Sequence, residues 1–196
     1  MSRSLEKTEL KLRAQESKLN TVLEVTNAVN NNFPKDKLFQ LFELVLQHQL
    51  KIGRVIAFVN LGDTWERAIS YGVREVEKHL KVDEHLLSIT KITLVETANV
   101  QLPAFDVVIP VFHKSKPLAY LLLGDLDEME LKISPIIKHL RFIQTIANII
   151  TVALENKRLA RESIIQERIK KELELASEMQ AMMIPDSLPN DKVLQI

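Results

Sequence analysis

The chain of 196 residues contains no cysteine. That excludes disulfides, cysteine nucleophiles, thiolate zinc sites and thioether-linked cofactors. Glycine is scarce: only Gly53, Gly62, Gly72 and Gly124 occur. No two of them have the spacing of a phosphate-cradling loop, which argues against a nucleotide-binding fold of that kind. No apolar run approaches the roughly 20 residues that a membrane-spanning helix needs. Charge runs straight through Met1–Lys7, unlike a secretory signal. Lysine plus arginine equals aspartate plus glutamate at 26 each, so no net field draws nucleic acid or an anionic membrane. These absences predict a cytoplasmic protein that binds neither.

What is present is an ordinary globular mixture. Apolar residues make up 46% and charged residues 27%, enough for one core domain plus accessory helices. Residues 4–31 read as a helix without Pro or Gly. Leu5, Leu12, Leu19 and Thr26 recur every seven residues, joined by Val22 and Val29. This is a coiled-coil seam, weakened by Thr8 and Gln15 and strengthening towards Val22–Val29. Asn30-Asn31-Asn32-Phe33-Pro34 breaks it. A second helix is expected from about Lys35 to Lys51, with Leu38, Phe42, Val45 and Leu46 on its apolar face.

Strands follow. Val55–Val59 is a β-branched and aromatic run, and Asn60-Leu61-Gly62-Asp63 is turn chemistry. Trp65, Arg67, Ile69 and Tyr71 alternate with Glu66, Ala68 and Ser70, which predicts the return strand of a hairpin. Residues 73–90 are charged, with a short helix expected near Glu84–Ser88. Ile92–Val95, Phe105–Phe112 and Leu118–Gly124 complete the strands, the last being the most apolar. From Pro135 to Ile184 nothing interrupts a helical pattern, which would span about 70 Å as one helix. Its second half carries a seam at Ile169, Leu173, Ala176, Gln180 and Met183. The order predicts an α+β fold: an antiparallel sheet of five or six strands with helices packed on it, flanked by coiled-coil helices. A homodimer through the helical arms is the expected state.

Two resemblances sharpen this. Asp106–Val111 followed by Lys116–Gly124 resembles the paired core strands of the GAF domain, a sensory module of signalling proteins. Phe142–Leu159 is similar to that family's closing helix, where Ala153, Glu155 and Asn156 lead into a linker. The resemblance covers about residues 20–158. It implies a small-molecule pocket formed by the sheet and the segment 65–105, with Trp65, Tyr71 and Phe105 as lining candidates. The pattern of cyclic-nucleotide-binding members is not evident, and covalent bilin attachment would need a cysteine. No cofactor is therefore expected.

Glu172–Pro185 resembles the segment ahead of the catalytic domain in bacterial serine phosphatases of the SpoIIE-like, type 2C group. The matching residues are Ala176, Met179, Gln180, Met183, Ile184 and Pro185, and Leu173 of the seam joins them as a switch candidate. This implies that the chain regulates a serine/threonine phosphatase domain in cis, whose metal-binding aspartates would lie beyond residue 196. The expected organisation is a helical arm over 1–31, a sensory domain over 20–158, a switch helix over 159–185 and a connection over 186–196. No catalytic residue is expected within the chain, and no metal site. Histidines 48, 79, 85, 113 and 139 are isolated, and the acidic run Asp125–Glu130 lacks the glycine and spacing of a calcium loop. Two alternatives stay open. One is a ligand receptor coupled to a kinase or cyclase, and the other a dimerisation module with a vestigial pocket.

Overall fold

The computed structural model describes residues 2–62, 64–97, 102, 104–124 and 134–183. The acidic run 125–130 and the linker positions Ile184 and Pro185 lie outside them. The chain divides into two compact units, Met1–Glu155 and Asn156–Ile196.

In the first unit, helix α1 spans Ser2–Asn30 and α2 spans Lys35–Leu44, followed by a π-turn over Val45–Gln49. Strand β1 is Arg54–Asn60 and β2 is Trp65–Tyr71. A 3-10 turn at Glu75–His79, helix α3 at Val82–His85, the two-residue strand β3 at Thr93–Leu94 and a 3-10 turn at Val95–Thr97 follow. Strands β4, Val107–His113, and β5, Lys116–Gly124, precede helix α4, Ser134–Met183. The sheet has five strands in the order β2-β1-β5-β4-β3, every neighbouring pair antiparallel. This is the expected α+β architecture.

Helix α1 stops where the asparagines predicted. Asn32 takes a left-handed conformation at φ 57°, which asparagine tolerates better than most residues. Phe33 N–H then bonds the Ala28 carbonyl at 3.0 Å and Asn32 N–H bonds that of Val29 at 2.9 Å. These two bonds form a Schellman cap. The π-turn ending α2 brings Gln49 to α1, where its amide donates to the Ser17 hydroxyl at 2.9 Å.

Strand β5 is buried from Leu118 to Gly124 and its side chains alternate between two cores. Ala119, Leu121 and Leu123 join Val55, Ala57 and Val59 of β1 and Ile109 of β4 on one face. There α1 (Val25, Ala28), α2 (Leu38, Phe42) with its π-turn (Leu46), and α4 (Ile143, Ile146, Ile150) cover them. Each such aliphatic side chain contributes about 1.5–3 kcal/mol when fully buried. Tyr120 and Leu122 point to the opposite face, against Ile56, Phe58 and Val108.

The seam expected on α1 is divided. Val22 and Val29 pack against the domain's own core, whereas Leu12, Leu19 and Leu23 are more than half exposed. The apparent strengthening of the seam towards Val22–Val29 is therefore intradomain packing. The expected strand at Ile92–Val95 is reduced to Thr93–Leu94, paired only with Val107 and Val108. Beyond that point β4 presents Pro110, which has no N–H, and the Gln144 amide of α4 donates to its carbonyl at 2.7 Å.

In the second unit α4 runs on to Met183 with Leu159, Ile169, Leu173 and Met179 exposed. Ion pairs Arg158–Glu162 and Arg168–Glu172, each four residues apart, support the helix by about 0.2–0.5 kcal/mol apiece. Among the described residues no helix is long and apolar enough to cross a membrane.

Candidate functional site

The sheet's second face is roofed by the segment after β2, with its short helix α3, rather than by α1, α2 and α4. Val82, Leu86 and Ile89 from its first part, and Leu102, Ala104 and Phe105 from its end, close over Ile56, Phe58, Val108, Tyr120 and Leu122. Both ends of this cover are tied to one side chain. Arg54 donates through Nη1 to the Ala104 carbonyl at 2.7 Å and through Nε to the Gly72 carbonyl at 3.1 Å. Glycine permits both approaches. A Cβ on Gly72, at φ +66°, would lie 2.0 Å from the Gly53 oxygen, and one on Gly124 would lie 2.4 Å from the Ala104 oxygen.

Three aromatic rings meet within this layer. Trp65 of β2 lies 5.5 Å from Tyr120 of β5, tilted by 51°. Phe112 of β4 meets Tyr120 edge-on at 6.4 Å and 80°. Such contacts add about 0.5–1.5 kcal/mol beyond burial. The Trp65 indole N–H donates to Asp83 Oδ1 of α3 at 3.2 Å, pinning the cover to β2.

Tyr120 itself is completely buried, yet its hydroxyl has no hydrogen-bond partner. Burial pushes its phenol above the ordinary value, so it stays protonated and able to donate. Leaving a buried hydroxyl unpaired costs about 1–3 kcal/mol. A ligand acceptor in this layer would recover that cost, and the rings suit an apolar, planar body. Among the described residues the layer offers no paired general acid and base. Among the described residues no three acidic or histidine side chains gather as a metal site.

Of the three lining candidates, the structure brings Trp65 and Phe105 into this layer and places Tyr71 elsewhere. A bulge separates them. Ala57 pairs with Ile69 but Phe58 pairs with Arg67, leaving Ala68 as an extra residue. Beyond it the alternation inverts, and Ile69 and Tyr71 face the helix-covered core. There burial, assisted by the charge of Glu43, raises the Tyr71 phenol strongly. Tyr120, Arg54, Phe112 and Asp83 were not singled out from the sequence. Strand parity could have found Tyr120, since it shares a face with Leu122 rather than with Leu121.

The linker candidates Leu173 and Met179 are exposed by 66% and 65%, and Ala176 and Gln180 are also exposed. Met183 ends the described helix.

No family model and no curated protein matches the chain in sequence. Solved structures do match in shape. A GAF domain described as that of a sensor histidine kinase from Pseudomonas syringae pv. tomato is 12% identical, with a TM-score of 0.58 over 81% of this chain and 99% of that one. The GAF domain of an Acinetobacter phosphoenolpyruvate-protein phosphotransferase is 11% identical, with a TM-score of 0.51 over 70% of this chain and 92% of that one. At these identities the likeness is one of architecture, and on it, together with the five-stranded antiparallel sheet and its covered second face, the chain has a GAF-like fold.

Proposed function

We propose that the chain is a signal-sensing regulatory region that relays its state through helical linkers to a serine/threonine phosphatase domain in cis. One observation carries this reading. Helix α4 contributes Ile143, Ile146 and Ile150 to the domain core and continues as a helix to Met183, with an exposed apolar stripe. A helix rooted in a sensory core suits transmission of a shift between two packed arrangements. Input would arrive at the layer around Tyr120, as a small molecule or a protein partner. Output would leave through residues 173–183, where the sequence resembles the phosphatase linker.

On this reading the chain works in the cytoplasm, as a homodimer through its helical arms, and performs no catalysis itself. The stripe of Leu173, Ala176, Met179, Gln180 and Met183 supplies the pairing seam of the output helix. Apolar side chains as exposed as Leu173 and Met179 gain most from a second copy.

The test has two parts. The coding sequence beyond residue 196 should specify a metal-dependent phosphatase domain; a kinase or cyclase domain there would overturn the phosphatase output. Native mass spectrometry of the purified chain should show a dimer. A monomer would remove the paired-helix relay, and added mass on the dimer would identify the class of input.

A further inference from the structure

The Tyr120 layer and helix α4 lie on opposite faces of the sheet. A change in one reaches the other through the strands or around a margin. At the β4 margin Thr90, which follows the cover's Ile89, and Gln144 and Asn148 of α4 line an open groove of about 360 Å³. Among the described residues no hydrogen bond runs from Thr90 to α4. The end of the sheet where the β1–β2 connection meets the β4–β5 turn is built differently.

Two aromatic rings join that end to the layer. Trp65 opens β2 directly after the connection and pairs across to Asn60. Its ring meets Tyr120, and its N–H holds Asp83 of the cover. Phe112 meets Tyr120 edge-on and pairs with Pro117, the neighbour of Lys116. One cation joins the same end to α4. Lys116 Nζ donates to the Gly62 carbonyl and to Glu155 Oε1, each at 3.3 Å. Glu155 is 3% exposed and stands one turn beyond the buried Thr151, where the helix leaves the domain core. A carboxylate so buried keeps its place only while a positive charge faces it. The connection also has a second arrangement to gain from. Asn60 Oδ1 is buried without a hydrogen-bond partner, and a shift that paired it would recover the loss.

We propose that Lys116 is the coupling residue of the domain, carrying a displacement of Trp65 and the β1–β2 connection around the end of the sheet to the turn of α4 at Glu155. This rests on the sensory reading above and assigns its route from layer to helix. The warrant is a contiguous series of contacts, Asp83 to Trp65 to the connection to Lys116 to Glu155, with an element that has two arrangements.

Hydrogen exchange tests it without a ligand. Asp83→Ala removes an exposed side chain and frees the Trp65 N–H, leaving the core intact. Exchange should quicken about fivefold in β2 and also in the α4 turn around Glu155, each relative to the β5 amides that report global unfolding. In a Lys116→Met background that turn should already exchange fast, and adding Asp83→Ala should quicken β2 alone. Lys116→Arg, which keeps the charge, should restore the response at α4. Trp65→Phe, which keeps a ring and removes only the donor, should repeat the Asp83→Ala pattern. A quickened β2 with an unchanged α4 turn overturns the proposal, as does an α4 response that persists in full without Lys116. Neither result touches the sensory reading, and a kinase or cyclase found beyond residue 196 would leave this coupling standing.

Discussion

Lys116, at the start of β5, holds its ammonium 3.3 Å from the carboxylate of Glu155 on α4, whose side chain is only 4% exposed. The same ammonium lies 3.3 Å from the Gly62 carbonyl in the β1–β2 connection. One cation thus ties two sheet loops to the last residue of the first unit. Removing it leaves a buried carboxylate without that charge. A fully buried pair would cost more, but Lys116 is 43% exposed and water partly replaces it. Lys116→Met should therefore lower stability by about 1–3 kcal/mol in urea unfolding. Combined with Glu155→Gln, the loss should be less than the sum of the two singles. Additive losses would mean the pair is not energetically coupled.

Tyr120→Phe should leave the unliganded chain as stable as before, or more stable by up to about 1 kcal/mol, because it removes a buried hydroxyl that bonds nothing. The measurement is thermal unfolding with and without a compound that raises the wild-type melting temperature. The variant should lose part of that rise. A marked loss of stability without ligand would show that the hydroxyl is paired in solution.

The chain's two tyrosines are both held protonated beyond the ordinary range, each chiefly by burial. Their folded pKa values are raised, so the folded chain keeps protons that the unfolded chain gives up. Stability from this source is complete below about pH 10, the unfolded value, and falls as pH rises above it. Phenolate absorbance should stay low in the native protein past that pH and appear together with loss of the circular dichroism signal. Phenolate formation near pH 10 with the fold intact would contradict the burial of both hydroxyls.

Gly124→Ala should destabilise the domain by about 1–3 kcal/mol, since the new methyl meets backbone at Ala104 and Phe105 rather than a side chain that can swing away. Hydrogen exchange should quicken in the segment leading into β4. Unchanged exchange there would mean the cover's end is not held against β5.

Much of the architecture was legible because it rests on local patterning. The asparagine run ending α1, the β1–β2 turn, the β4–β5 hairpin and the uninterrupted helix from Ser134 each have their own chemistry. The candidate pocket was legible only in part. Trp65 and Tyr71 are six residues apart on one strand, so strict alternation puts them on one face. The extra residue at Ala68 breaks that rule, and a bulge of this kind leaves no mark in an otherwise regular pattern. Val22 and Val29 read as a seam because a helix packed on its own sheet and one packed on a partner use the same spacing. Tyr120 was overlooked in an apolar strand buried on both sides, where parity sorts the side chains into two faces but does not say which face meets which cover. A strand was legible at Ile92–Val95, but its shortening to the two-residue β3 was not.

Pro110 has a consequence beyond the fold. Exposed strand edges invite copies of a protein to add to one another's sheets, the route to fibres. On β4 that route is shut: the proline offers no donor, and Gln144 has taken its carbonyl. At the sheet's other margin β2 carries Glu66 and Arg67 to solvent, charges that discourage a neighbouring strand. On the dimeric reading proposed above, copies are thereby steered to reversible contacts between helices and away from irreversible ones between strands.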